Sequence, residues 1–268
     1  MPVTDKPTPT HLAIQNRHPR DKDISFEEGP HIYTVLGERG TYTSVTTMIH
    51  RLFSHFDADE VIDKMMRSKN WNDPNYKYYG MSRDQIKALW NSKRDQSAGA
   101  GTNMHYDIEC YWNGLTVQNE SIEFQYFKEF VKDFPDLKPY RTEWMVYHED
   151  VKLSGSIDMV FENPDGTLQI YDWKRCQEIK YDNDFGKNAI AKCIQHIPDT
   201  NFWHYSLQLN TYKKILEDKY GKQISDMYLI CIHPENAYKR YDRIQVPVLE
   251  KELENLFSML KDKKHVKI

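Results

Sequence analysis

Between residues 141 and 176 the chain changes its period. Upstream of this stretch apolar residues recur at helical spacing, but RTEWMVYHE, KLSGSIDMVFE and TLQIYDWKRC are three consecutive strand-like runs. The first two are joined through Glu149 and Asp150, and the second and third through the turn signal NPDG. Joints that short leave only antiparallel neighbours, because a parallel return needs a long crossover. A three-stranded meander is therefore expected at the centre of the chain, and the other elements must pack on it or extend it.

On both sides the pattern is helical. HIYTVLGERGTYTSVTTMI reads as a small hairpin leading into a helix, with Gly37 and Gly40 around the turn and Ser44 or Thr46 as cap. From Asp57 to about Lys93 a helical pattern is interrupted by the loop NWNDPNYKYYG. In SAGAGTNMHYDIECYWNG small residues lead into a helix that stops at Gly114, and SIEFQYFKEFVKDF is an amphipathic helix ended by Pro135. A polar stretch from Gln177 to Thr200 precedes the helix NFWHYSLQLNTYKKILEDKYG, the apolar strand MYLICIH and a C-terminal helix from Leu249. The order predicts an α/β (α+β) layer fold, an αβββαβ core with a mixed central sheet flanked by helices and added N-terminal helices. Its expected parts are a flexible tail over residues 1–24, a hairpin and helical cap over 25–97, and the core with its C-terminal helix over 98–268.

Composition narrows the function classes. The net charge of −4 excludes a generally basic coat, so any contact with phosphate must come from a local patch. No apolar run reaches the length of a membrane span, and the polar start has no signal-peptide core. An intracellular, soluble protein of the cytoplasm, nucleus or a viral replication site is expected, without a membrane partner. Cys110, Cys176, Cys193 and Cys231 form no C-x-x-C pair, which suits reduced thiols better than a zinc knuckle or a cluster.

The chemistry concentrates on the meander. In IYDWKRC, Asp172 and Lys174 share one strand face and Tyr171 and Trp173 the other. A solvated edge strand with one ion pair would explain them if they stood alone. Asp158 on the middle strand and Glu143 on the first can reach the same end of the sheet, however. Carboxylates that close repel one another unless a cation joins them, and oxygen ligands favour Mg²⁺ or Mn²⁺. A lysine beside such an ion could place a water for attack on a phosphodiester or neutralise the charge that develops.

GSID followed by DWK resembles the signature of the PD-(D/E)XK nuclease superfamily, with its restriction-endonuclease-like core. His105 in GTNMHYDIE, upstream of the sheet, and Gln208 with Tyr212 in QLNTY resemble the RecB-like branch, in particular exonuclease-like proteins of phages, large DNA viruses and mitochondria. The resemblance spans residues 98–233 in order. It implies Asp158, Asp172 and His105 as metal ligands, joined by the carbonyl of Trp173 and by Glu143 as a ligand or metal-water contact. Lys174 would be catalytic, Gln208 and Tyr212 would touch phosphate or orient the lysine, and Glu109, one turn from His105, would support the ligands. No cysteine follows Cys231, so the iron–sulfur cluster of some relatives is not expected.

The expected function is a Mg²⁺- or Mn²⁺-dependent DNA nuclease, an exonuclease on single strands or DNA ends, serving replication, recombination or repair. Its N-terminal helices would form an arch restricting entry, and a helicase, polymerase or recombination protein would be its partner. A structure-specific endonuclease or resolvase, and a non-catalytic nuclease-fold DNA-binding subunit, are the alternatives. RNA activity, strand polarity and oligomeric state stay open. Lys180, Lys187 and Lys192 are either a sparse DNA track or a solvated loop, and Trp112, Trp173 and Trp203 are expected in the core.

Overall fold

In the computed structural model, which describes residues 7–183 and 186–263, the meander is present and its register determines where the site lies. The chain opens with a short helix α1 (His11–Gln15) and a 3₁₀ turn at Pro19–Asp23. A three-stranded antiparallel sheet follows, of β1 (Ile24–Glu27), β2 (Ile32–Val35) and β3 (Glu38–Arg39). Next come β4 (Thr43–Ser44) and α2 (Val45–His50), which Ser44 caps by accepting the Thr47 N–H. After α3 (Ala58–Met66), α4 (Arg83–Trp112) and α5 (Ile122–Asp133), the meander is β5 (Lys138–His148), β6 (Leu153–Glu162) and β7 (Leu168–Lys174). Helix α6 (Asn201–Tyr220), stopped by left-handed Gly221, leads to β8 (Ile224–Cys231), β9 (Asp242–Gln245) and α7 (Glu250–Lys263).

Strand β6 is the hub. Its pairing with β5 runs from Leu153 to Glu162 and occupies one edge. On the other edge β4 pairs in parallel at Leu153–Ser154, and β7 pairs antiparallel at Met159–Glu162. Residues 155–158 therefore lie in a fork between two partners. Strand β7 continues into a parallel pair with β8, which pairs antiparallel with β9, so the sheet is mixed.

Both faces of this sheet are covered, which is what allows its strands to be so apolar. One face packs Val45 and Met48 of α2, Leu207 and Ile215 of α6, and Leu253 and Leu256 of α7. The other receives Met104 and Ile108 of α4 and Phe127 and Phe130 of α5. Trp173 lies edge-on to Phe127 (5.6 Å) and Phe130 (5.3 Å). Burying Tyr171 and Trp173 against α5 turns Asp172 and Lys174 to the opposite face. The packing of one face thus aims the chemistry of the other. Trp112 and Trp203 are half-buried against the two cores.

Residues 55–103 cluster as a unit of their own. Within it Asp57 caps α3, and Arg83 and Lys87 pair with Asp59 at 3.1 and 2.6 Å. Ile62 and Ile86 are fully buried, and Trp90 Nε1–H donates to Tyr78 Oη (3.0 Å).

Three expectations need correction, and one strand was not expected. The tail reading of residues 1–24 fails from Thr10 onward, because Leu12 is buried and its N–H donates to Asn113 Oδ1 (2.9 Å). Asp21 also pairs with the buried Arg141 (2.7 Å) and accepts from Trp144 Nε1 (3.0 Å), partners more than a hundred residues away. The hairpin groups with the central sheet rather than with the helical unit. The SAGAG run does not start a new helix, since α4 runs through it unbroken. A helical glycine costs only about 1 kcal/mol relative to alanine, and no proline interrupts. Strand β9, short and half-exposed, carries no alternation clear enough to announce it.

Candidate metal and catalytic site

The fork in β6 gathers the chemistry. On β7, Lys174 Nζ stands 2.6 Å from Asp172 Oδ2, 3.5 Å from Gln208 Oε1 and 4.5 Å from the centre of the Tyr205 ring. Asp172 is 2% exposed, and its Oδ2 has no hydrogen bond of good geometry, so its contact with Lys174 is one of charge. Burial opposes the charge on Lys174, but Asp172 and Asp158 outweigh it and hold the ammonium firmly protonated.

Across the fork, His105 from α4, Glu143 from β5 and Asp158 from β6 offer ligand atoms all within 4.8 Å of one another. His105 Nδ1 is 3.5 Å from Asp158 Oδ2 and 3.7 Å from Glu143 Oε1. Its other nitrogen, Nε2, is 2.8 Å from the carbonyl of Trp173. With Nε2–H donating to that carbonyl, the lone pair of Nδ1 faces the two carboxylates, which is how a metal-binding imidazole is usually oriented. Asp158 Oδ2 accepts the Trp173 N–H (3.0 Å), so one residue of β7 steers both ligands through its backbone. Glu143 reaches the site because its backbone is left-handed, φ +40°, between two ladder pairs of β5 and β6. Such a conformation costs a residue with a side chain of order 1–3 kcal/mol and persists where its surroundings impose it. Ser156 Oγ–H donates to Glu143 Oε2 (2.8 Å) and holds the side chain there.

The electrostatics describe a site that attracts cations. Burial, then Asp172, raises the Asp158 carboxyl to about 7. Burial, then Glu143, raises Glu109 to about 7. Burial works against the His105 imidazolium, but Asp158 and Glu143 prevail and raise it to about 9. A proton or a divalent ion can answer this excess of negative charge. One imidazole nitrogen and two carboxylate oxygens suit a hard to borderline ion such as Mg²⁺ or Mn²⁺.

The structure thus brings together His105, Glu143, Asp158, Asp172, Lys174 and Gln208, with Glu109 one helical turn from His105. Asp172 stands outside the metal-capable triad, against Lys174. The Trp173 carbonyl faces His105 Nε2. Tyr212 is buried, 3% exposed, packs against Gly155, and interacts with Gln208, whose Oε1 is 3.5 Å from Lys174 Nζ. Lys180 pairs with Glu178 (3.8 Å), and with Lys187 and Lys192 it lies on the segment between β7 and α6, not in the fork. Ser156 and Tyr205 escaped the sequence reading. Tyr205 was within reach, since positions 205, 208 and 212 fall on one helix face.

No family model matches the chain, and no curated protein matches it. Among solved structures, a Eubacterium rectale protein provisionally named an exonuclease matches with 13% identity and a TM-score of 0.29, over 57% of this chain and 68% of that one. A likeness that shallow adds nothing to the geometry. Among the described residues no helix is long and apolar enough to cross a membrane.

Proposed function

We propose that the chain is a divalent-cation-dependent nuclease of the RecB-like branch of the PD-(D/E)XK superfamily. It would hydrolyse DNA phosphodiester bonds, as an exonuclease on single strands or ends, in replication, recombination or repair. The observation that carries the reading is the fork: a His105–Glu143–Asp158 triad next to a buried Asp172–Lys174 pair. Mg²⁺ or Mn²⁺ held by the triad would acidify a water and offset phosphate charge. Asp172, Gln208 and Tyr205 fix the Lys174 ammonium, which is then a rigid charged donor for the attacking water or the phosphoryl oxygens. A binding scaffold has no use for carboxylates that repel one another, which disfavours a non-catalytic subunit.

End-labelled linear and circular DNA, single-stranded and duplex, with Mg²⁺, Mn²⁺ or EDTA, tests the reading. The expected result is shortening of linear substrate, intact circles and no reaction in EDTA. Cleaved circles would replace the exonuclease with an endonuclease, and inertness on every substrate with either metal would refute the nuclease. Lys174→Ala should lower kcat at least about 10²-fold while leaving DNA affinity near wild type, the mark of a group that acts in the transition state.

A further inference from the structure

Two thiols stand beside the catalytic strand. Cys231 on β8 is the register partner of Lys174, and Cys176 follows Lys174 by two residues. Their sulfurs are 3.3 Å apart, and Cys231 Sγ–H donates to the Cys176 carbonyl (2.8 Å). A disulfide needs about 2.05 Å, so closure asks for a small displacement along a line already set. Cys231 is buried while Cys176 is half-exposed, which gives an oxidant one sulfur to reach and shelters the other. The neighbouring Cys231 sulfur, then Lys174 against the opposing effect of burial, favours the Cys176 thiolate, and the contact with Cys176, then burial, keeps Cys231 protonated.

We propose that Cys176 and Cys231 form an oxidisable thiol pair, which closes to a disulfide under peroxide and restrains the end of β7 that carries Lys174. The Cys176 thiolate attacks one peroxide oxygen, the O–O bond breaks, and a sulfenic acid forms as the first water leaves. The Cys231 sulfur then attacks that sulfur, the S–O bond breaks, and a second water leaves. Two thiols and one hydrogen peroxide thus give one disulfide and two waters. The bond would draw Cys176 toward β8, and Lys174 is two residues back on the same strand. A reactive group displaced by a fraction of an ångström loses much of its effect. Only the consequence for cleavage rests on the nuclease reading; formation of the bond does not.

The test is treatment of the full chain with hydrogen peroxide and then dithiothreitol, read by peptide mapping and by hydrogen exchange over residues 170–176. The expected result is a Cys176–Cys231 disulfide, slower exchange in that segment and about tenfold slower cleavage, all reversed by dithiothreitol and all lacking in Cys176→Ser. Thiols that stay free at millimolar peroxide would overturn the proposal. So would a disulfide that leaves exchange and cleavage unchanged. If the protein cuts no nucleic acid under any condition, the nuclease reading fails, and mapping with exchange still decides this inference.

Discussion

At Asp158, burial and the neighbouring Asp172 raise the carboxyl to about 7, so near pH 8 the folded protein carries a charge that the unfolded chain holds in water. Replacing it with asparagine keeps the shape and removes that charge. Asp158→Asn should abolish cleavage and, in EDTA at pH 8, stabilise the fold by about 1 kcal/mol, roughly 2–4 °C in Tm. Thermal melts beside the nuclease assay check both; an active or less stable variant would contradict the assignment. The same groups set a pH dependence. Asp158 and Glu109 are raised to about 7 and His105 to about 9, so all three bind protons more tightly folded than unfolded. Stability from such groups is present below their unfolded values and lost as pH rises through the folded ones. In EDTA the Tm should fall between pH 6 and 9, and Mg²⁺ or Mn²⁺ should restore more of it as pH rises; melts that are flat with pH and blind to metal would count against the cluster. That Asp172 and Lys174 share a face was legible because strand alternation is local, whereas His105, on a helix 67 residues before Asp172, entered only through the acids downstream and the family resemblance. Glu143 was not firmly legible, because its reach depends on a left-handed backbone that no pattern announces.

Among the elements, the three strands and α6 were readable from their period, since each buries a continuous apolar set. What escaped depends on distant partners. Gly155 shows how tightly the fork is closed from below. A Cβ there would lie 2.7 Å from Tyr212 Oη and 2.8 Å from its ring, closer than atoms can pack. Gly155→Ala should therefore cost about 1–3 kcal/mol and lower cleavage, since Asp158 is three residues on in the same stretch of β6 between its β4 and β7 pairings. Denaturant melts with unchanged stability would show that α6 can retreat. The N-terminal segment is similar. Asp21 neutralises Arg141, which is 5% exposed, and also accepts from Trp144. Asp21→Ala leaves a buried guanidinium without its counter-charge and should cost about 3–5 kcal/mol, measured by urea unfolding. A loss below about 1 kcal/mol would return the segment to the status of a tail.

For the whole molecule, 36 lysines and arginines against 40 acids leave little field to attract a polyanion. Residues lining the clefts beyond β7 include Glu178, Glu235 and Asp242, and Lys180 is paired with Glu178. If the chain binds single-stranded DNA as proposed, its affinity comes from few phosphate contacts. Each neutralised phosphate on a single strand contributes about −0.7 to the slope of log K against log salt. With three or four such contacts the slope should be about −2 to −3, far shallower than that of a basic DNA-coating protein. Anisotropy titrations of Asp158→Asn, expected not to cut, measure it between low and physiological salt in EDTA. The same titrations decide between the two readings of the lysines after β7. If Lys180, Lys187 and Lys192 track the strand, replacing all three with alanine should flatten the slope by about 2. An unchanged slope would make them a solvated loop. On the proposed nuclease reading it would also leave the fork to hold DNA mainly through a cation on the triad and Lys174, so that the affinity of Lys174→Ala, which keeps His105, Glu143 and Asp158, should rise with Mg²⁺ at fixed ionic strength.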